Sequence, residues 1–524
     1  MNSSQPTPVL ISEPFTEEMY PAVGLSQKLA PLVRLHSILL IVLAALAPFV
    51  FCSIVRNLPN YLEADHRLAP TFALTHRYSV YYPPESGPAL STLYGPVTIL
   101  AYLPATLAST PTNAILIGTI LTLLVVYVSI FLVVRAAAGT TWMKWWQLFG
   151  LIVGVIWLIG PVERTTAHIH ADAPALAFAA LAAMFAMRQS STFAKWDPVL
   201  AGLFGMLSIF AKQNMVPVLV GLAIWFALRM GWKGLCVFMG ATVFFSALMT
   251  AITIKTMGTA AAFYFNCVYV PLHQPFDKTL FFPTIMQLAI ISLAVLVIPT
   301  GRILQSWIQS DETLKIFLLH RRTPLLLLLG ALMIPASILG RMKLGGNENS
   351  IGLCLFFFVL ALLAEVAALH NRGFDDLLSA NEIKLWTLPL LTLCIVGLWS
   401  AIFLSLKSAS PSPIRQAFEY SRRHPGKVYF PQFPLAGLMA DGNLYHFSWG
   451  LTDRRNAGKP VPDEHFQANL PPHAEVIAVT GSVPQFEADM SARQGPRIEN
   501  FPDAAQLPQF EFFEVRRRGD SNNK

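Results

Sequence analysis

Two carboxylates two positions apart, Glu63 and Asp65, stand just beyond the first strongly apolar stretch of the chain. At a membrane surface, a carboxylate in that position can take a proton from a hydroxyl and act as a general base. The polar segment they open runs through Tyr81-Tyr82-Pro83-Pro84 to Tyr94-Gly95-Pro96. Prolines and glycines at this density build a fixed, compact loop, here one that leads straight back toward the membrane. Such a loop suits a substrate that is half lipid and half polar. A solvated helix terminus accounts for Glu63 and Asp65 as well, and Tyr82 and Tyr94 also read as interfacial anchors.

Three further constellations carry ionisable groups between apolar stretches. Glu163, Arg164, His168, His170 and Asp172 fall within the segment Pro161–Pro174. Lys212-Gln213-Asn214 interrupts an otherwise continuous apolar run, and Arg341-Met-Lys343-Leu-Gly-Gly-Asn-Glu-Asn-Ser350 follows another. Ionisable groups near membrane depth are costly and usually functional. His168, His170 and Asp172 have the chemistry of metal ligands, although a solvated loop explains their spacing too. Lys212 reads equally as a turn cation, and the 341–350 segment as a polar connector.

The elements that must hold these groups are membrane helices. Of 524 residues, 54% are hydrophobic and 13% charged, against about 25% charged in soluble domains. Apolar runs of helix-spanning length lie near 36–55, 93–110, 113–134, 146–162, 171–188, 197–211, 214–229, 233–256, 284–300, 323–340, 351–370 and 384–406. The expectation is an all-α polytopic membrane domain of 11–13 helices over 36–406, after a polar N-terminal tail, 1–35, that lacks the apolar core of a signal peptide. Residues 407–524 are Pro-rich and charged, with strand-like runs at Lys427-Val-Tyr-Phe and Glu475-Val-Ile-Ala-Val. They read as a small soluble α/β or β-rich domain, in which Asp453, Arg454 and Arg455 form a solvated turn. No alternating pattern supports a β-barrel.

The net charge of +7 points to membrane lipids rather than nucleic acid, because Lys and Arg collect in cytoplasmic loops. Five cysteines without ligand spacing argue against a disulfide framework. Arg135, Lys144, Arg188, Lys195, Arg229, Lys233, Arg302, Lys315, Arg321 and Arg322 fall in alternate loops. Those loops belong inside, and the motif loops and the C-terminal domain outside. The scheme is off by one crossing if every span traverses the bilayer. The suspect is 93–110, short and holding Pro96 and Pro104, which reads as a re-entrant segment.

In the order of its motifs the chain resembles the GT-C membrane glycosyltransferases, especially bacterial members that use polyprenyl-phosphate-linked sugars, the mannosyltransferase and aminoarabinose transferase superfamily. The acidic motif of the first outer loop is matched by Glu63-Ala-Asp65, and the Pro-rich stretch by Tyr82-Pro-Pro through Tyr94-Gly-Pro96. An Arg-to-Asp element is similar to Arg164 through Asp172, with a wider gap than in the family. Phe210-Ala-Lys212-Gln and Lys343-Leu-Gly-Gly-Asn-Glu-Asn-Ser complete the likeness. It implies transfer of a sugar from a polyprenyl-phosphate donor to a lipid, glycan or protein acceptor, with inversion, on the outer face of a bacterial plasma membrane. Asp65 is then the expected base, with Glu63 second or as an orienting or metal-binding partner. Lys212, Arg341 and Lys343 are expected on the lipid phosphate, and Asp172, Glu163, His168 and His170 on sugar or acceptor. Clustered carboxylates allow Mg²⁺ or Mn²⁺ without demanding either. A polysaccharide ligase or polymerase, or a lipid or solute transporter, is the alternative.

Overall fold

The computed structural model describes residues 22–57, 62–139, 143–188, 195–308, 310, 313, 321–371, 377–406, 412–480 and 494–515. Lys315 and residues 1–21 of the expected tail lie outside these. The chain opens with α1 (Ala22–Asn57), so helix begins within the segment expected to be tail. Next come α2 (Leu62–Thr75), α3 (Pro96–Ala101), α4 (Pro111–Ala138) and α5 (Trp145–Leu158), which bends by 112° into α6 (Gly160–Ala167). Two shorter apolar helices, α7 (Asp172–Met187) and α8 (Asp197–Ala211), lead into the long α9 (Val216–Thr256). α9 breaks at Gly231, whose φ of 67° and ψ of −162° are not helical, and so supplies the two spans read on either side of it. Then follow α10 (Ala260–Tyr264), α11 (Val270–His273), α12 (Phe281–Ile308), α13 (Thr323–Met342), α14 (Asn349–Asn371) and α15 (Leu377–Leu406).

Among the described residues six helical segments are long and apolar enough to cross a membrane, or seven with the bent α5–α6 pair. Every span read from the sequence has a helix except 93–110. There α3 has six residues, a rise of about 9 Å against about 30 Å of hydrocarbon, and a tight 3₁₀ turn follows at Leu103–Leu107. α3 is buried against α8, where the Thr98 hydroxyl donates to the Ala211 carbonyl at 2.8 Å. At that length it is too short to cross the hydrocarbon. Arg229 then caps the carbonyls of Ala186 and Arg188, and Arg322 that of Ala136, at the bundle end away from Asp172, Lys212 and Lys343.

Small and large residues divide the packing between them. α7 buries Ala173, Ala175, Ala177, Ala179, Ala180, Ala182, Ala183 and Ala186, which lets neighbouring helices approach closely. α14 is the central helix, with 94% of its apolar window buried.

The C-terminal part contains α16 (Pro413–Arg423), α17 (Pro434–Asp441), α18 (Ser448–Asn456) and α19 (Asp463–Ala468). Its sheet has β1 (Val428–Tyr429), β2 (Val476–Thr480), β3 (Gln494–Arg497) and β4 (Phe510–Val515) in the order β1-β2-β4-β3. β1 runs parallel to β2, with Val428 opposite Val476, and β4 is antiparallel to both β2 and β3. This region does not stand apart from the membrane bundle. Leu68, Phe72 and Tyr81 share one hydrophobic core with Phe433, Phe447 and Phe510.

Candidate active site

The expected polar loop begins as helix. α2 buries Ala64, Asp65, His66, Leu68 and Ala69, and its ionisable residues divide by helical geometry. A turn of about 100° per residue puts Glu63 and Arg67 on one face, four positions apart, and Asp65 nearly opposite. Glu63 and Arg67 line a cavity of about 500 Å³. Asp65 is not among its lining residues. Asp65 is fully buried against the C-terminal region, where Oδ1 accepts the Leu435 N–H at 2.8 Å at the start of α17. Burial pushes its carboxyl up to about 8, with the backbone bonds of Leu435 and Ala436 offsetting part of that. Its Oδ2 has no hydrogen-bond partner among the described residues. Asp65 thus docks α2 onto α17 and does not face the cavity; Glu63 is the carboxylate that opens to it.

A second group of side chains forms the floor. Asp172, in the first turn of α7, is fully buried and has both oxygens engaged. Oδ1 pairs with the Lys212 ammonium; Oδ2 takes His170 Nδ1 at 2.7 Å and Asn349 Nδ2 at 2.8 Å. With Nδ1–H committed to the carboxylate, His170 Nε2 accepts from the Tyr94 hydroxyl at 3.2 Å. Tyr94, His170, Lys212 and Asn349 line the cavity, so Asp172 acts by orienting them. Gly95 is needed beside Tyr94 because a Cβ there would sit 2.1 Å from the Phe210 carbonyl oxygen.

The late motif forms another wall. Lys343 reaches the cavity, and its ammonium donates to the Pro271 carbonyl at 2.6 Å. Burial, and then the Lys212 charge, pull its pKa below the usual lysine range. Arg341 turns back onto its own loop and donates to the Gly346 carbonyl at 2.6 Å, and it is not among the residues that line the cavity. Gly346 lets that loop close on itself, since a Cβ there would lie 2.3 Å from the Gly340 oxygen.

Other expected site residues lie elsewhere. Glu163 and His168 pair with each other at 3.3 Å, Arg164 pairs with Glu348 at 2.9 Å, and none of the three is among the lining residues. Tyr82 packs its ring over Gly87 and offers its carbonyl to Asn266 at 2.8 Å.

Arg67, Trp449, Thr452, Asp453 and Asn456 also line the cavity; of these the aromatic run that ends at Trp449 reads from sequence as compatible with sugar stacking or with packing on the membrane domain, and the others carry no such signal by type. The Arg67 guanidinium carbon lies 4.9 Å from the Tyr94 ring centroid and 5.2 Å from that of Trp449. Its Nε and Nη1 are buried with no hydrogen-bond partner among the described residues. The Asp453–Arg455 stretch is no solvated turn. The Arg454 guanidinium is buried on the carbonyls of Pro83 and Pro84, and Ser91 donates to Asp453 Oδ2 at 3.2 Å. Burial pushes the Asp453 carboxyl up to about 6 against the pull of Arg67 and Ser91. Spacing was the available signal: Arg67 lies one turn beyond Glu63, and 449, 452, 453 and 456 follow one face of a helix.

Among the described residues no group of three or more His, Cys, Asp or Glu side chains can hold a metal ion. His170 and Asp172 are already committed to Lys212, Asn349 and Tyr94, and the carboxylates that line the cavity are Glu63 and Asp453.

No family model matches the chain, and no curated protein matches it. Solved structures similar in fold include ArnT from Cupriavidus metallidurans bound to undecaprenyl phosphate, at TM-score 0.49 and 12% identity over 93% of this chain and 98% of that one. The mycobacterial arabinofuranosyltransferase AftD is similar at TM-score 0.46 and 12% identity, over 90% of this chain and 40% of AftD. An Archaeoglobus fulgidus oligosaccharyltransferase in complex with Zn and sulfate is similar at TM-score 0.41 and 12% identity, over 88% and 71% of the two chains. Likeness at this level concerns chain path, and the chemistry of the cavity rests on its own side chains.

Proposed function

We propose that this cavity is the active site of a glycosyltransferase that moves a sugar from a polyprenyl-phosphate donor to an acceptor hydroxyl. The observation that carries the reading is Glu63 and Arg67 side by side in one cavity at the end of a membrane bundle, neither with a hydrogen-bond or ion-pair partner among the described residues, with Lys343 on another wall. Glu63 takes the proton of the acceptor hydroxyl as its oxygen bonds to the anomeric carbon. The bond from that carbon to the phosphate oxygen breaks, and the electron pair leaves with polyprenyl phosphate. A phosphate needs no strong acid to depart. It needs fixed cations where its charge develops, and Arg67 and Lys343 are placed to supply them. A base on the far side of the sugar from the phosphate inverts the anomeric centre, by analogy with two-carboxylate glycoside chemistry.

The motif order that resembles the GT-C glycosyltransferases supports the same reading, as does a substrate with a lipid half and a polar half. The positive-inside pattern favours the outer face of the membrane, in a bacterium the periplasmic side of the plasma membrane.

The test is sugar transfer by the full chain in lipid nanodiscs, with a panel of radiolabelled polyprenyl-phosphate sugars and membrane-extract acceptors. Transfer from a single-sugar donor that is lost in Glu63→Gln supports the proposal. Transfer only from lipid-linked oligosaccharides would replace it with a polysaccharide ligase or polymerase.

A further inference from the structure

Resting on that reading, the acceptor's chemistry can be drawn from the wall that α18 contributes to the cavity. We infer that the stripe Trp449, Thr452, Asp453 and Asn456 on α18 is an acceptor subsite for a neutral, hydroxyl-rich ring, so that the acceptor is a glycan. These four residues sit at positions i, i+3, i+4 and i+7, one face of a helix, and all four line the cavity.

Their types suit a sugar. Asp453 accepts from hydroxyls, Asn456 both donates and accepts, Thr452 adds a rotatable hydroxyl, and Trp449 offers an apolar edge. α18 itself brings no cation into the cavity: Arg454 is turned away onto the Pro83 and Pro84 carbonyls, and Arg455 is not among the lining residues. Arg67 of α2 lies against the Trp449 ring; with that guanidinium taken up by the donor phosphate, a phosphorylated or carboxylated acceptor ring meets repulsion from Asp453 and Glu63, whereas a neutral ring does not.

The stripe is rigidly set, as specific recognition requires. His66 stacks on Trp449 with ring centroids 4.6 Å apart and planes within 4°, and Ser448 Oγ lies 3.2 Å from His66 Nε2. Gln274 donates to the Asp453 carbonyl at 2.9 Å, and the Phe447 N–H to the Ala89 carbonyl at 2.9 Å. Location divides the labour between the walls. A lipid phosphate approaches from the bilayer to cations carried by the membrane bundle and α2. α18 belongs to the part of the chain beyond the last span, the direction from which a water-soluble glycan end arrives.

The experiment is saturation-transfer NMR on the full chain in nanodiscs, using neutral methyl glycosides of hexoses and pentoses at millimolar concentration and a hexose phosphate as the charged control. The expected result, with undecaprenyl phosphate present to occupy Arg67 and Lys343, is contact with at least one neutral glycoside and none with the hexose phosphate. Asn456→Ala and Thr452→Val should each weaken that contact about fivefold, the worth of one hydrogen bond. Glu163→Gln, whose carboxylate pairs with His168 away from the cavity, should leave it unchanged. Thr452→Val is close to isosteric, so it keeps the test sound if Asn456→Ala fails to fold. No contact from any neutral glycoside in folded wild type would overturn the inference, as would contact unaltered in both stripe variants. Binding of undecaprenyl phosphate in the same nanodiscs reports on the transferase reading separately. Its absence would sink that reading while leaving the glycan result to stand or fall by itself.

Discussion

The two ends of the helix bundle use charged groups in opposite ways. At one end Arg229 and Arg322 spend their guanidinium groups on the carbonyls of Ala186, Arg188 and Ala136, and the Thr323 hydroxyl donates to buried Glu365 at 2.6 Å. Every one of these contacts closes a helix end or a buried carboxylate. At the other end Glu63 and Arg67 face a cavity with no hydrogen-bond or ion-pair partner among the described residues, Arg67 lying against the Tyr94 and Trp449 rings. A charge that caps a helix is finished when the protein folds, whereas one left open costs desolvation and is kept for a ligand.

The sharpest way to break this contrast is to remove the open carboxylate. Glu63→Gln should lower transfer by about 10²–10⁴-fold, the range for a general base, while undecaprenyl phosphate still binds; a radiolabel assay beside a binding isotherm reads both. Asp172→Asn attacks the floor instead. It strands the buried Lys212 ammonium and should cost about 3–5 kcal/mol of stability, visible as a large fall in Tm in nanodiscs. Arg67→Met, which keeps the length of the side chain and loses its charge, should cost about 10²–10³-fold in kcat. Arg67→Lys should recover little, because an ammonium cannot lie flat between Tyr94 and Trp449. At the capped end Arg229→Ala should lower stability by about 1–3 kcal/mol through the carbonyls it uncovers, with the specific activity of the folded fraction unchanged.

Asp65 gives the smallest effect and the finest distinction. Its folded pKa, about 8, lies above the ordinary 3.8, so folding favours the protonated form. The stability it contributes is full below the unfolded pKa and is lost as pH rises through 8. Asp65→Asn, which cannot ionise in either state, should unfold almost as wild type does near pH 4. It should also flatten the decline between about pH 4 and 8, as followed by thermal melts across that range.

How much of this was legible in the sequence differs between span and site. Membrane helices announce themselves because hydropathy is a local property, and the break in α9 coincides with Gly231, a residue free to adopt a φ of 67°. α2 did not, because Glu63, Asp65, His66 and Arg67 together read as solvated loop. What buries Asp65 is Leu435, 370 positions away, and no local pattern reports a partner that distant. Spacing alone could have separated the two carboxylates: once α2 is helical, Arg67 falls on the side of Glu63 and not of Asp65. The stripe on α18 was hidden for a similar reason, since two arginines beside Asp453 suggest a solvated turn unless the Pro83 and Pro84 carbonyls are known to receive one of them.

The most direct measurement is the transfer rate of Glu63→Gln beside Asp65→Asn, in one preparation, with one polyprenyl-phosphate sugar. The account predicts near-complete loss in the first and a rate close to wild type in the second. Loss in Asp65→Asn with transfer retained in Glu63→Gln would contradict it and return the base to the carboxylate buried beneath α17.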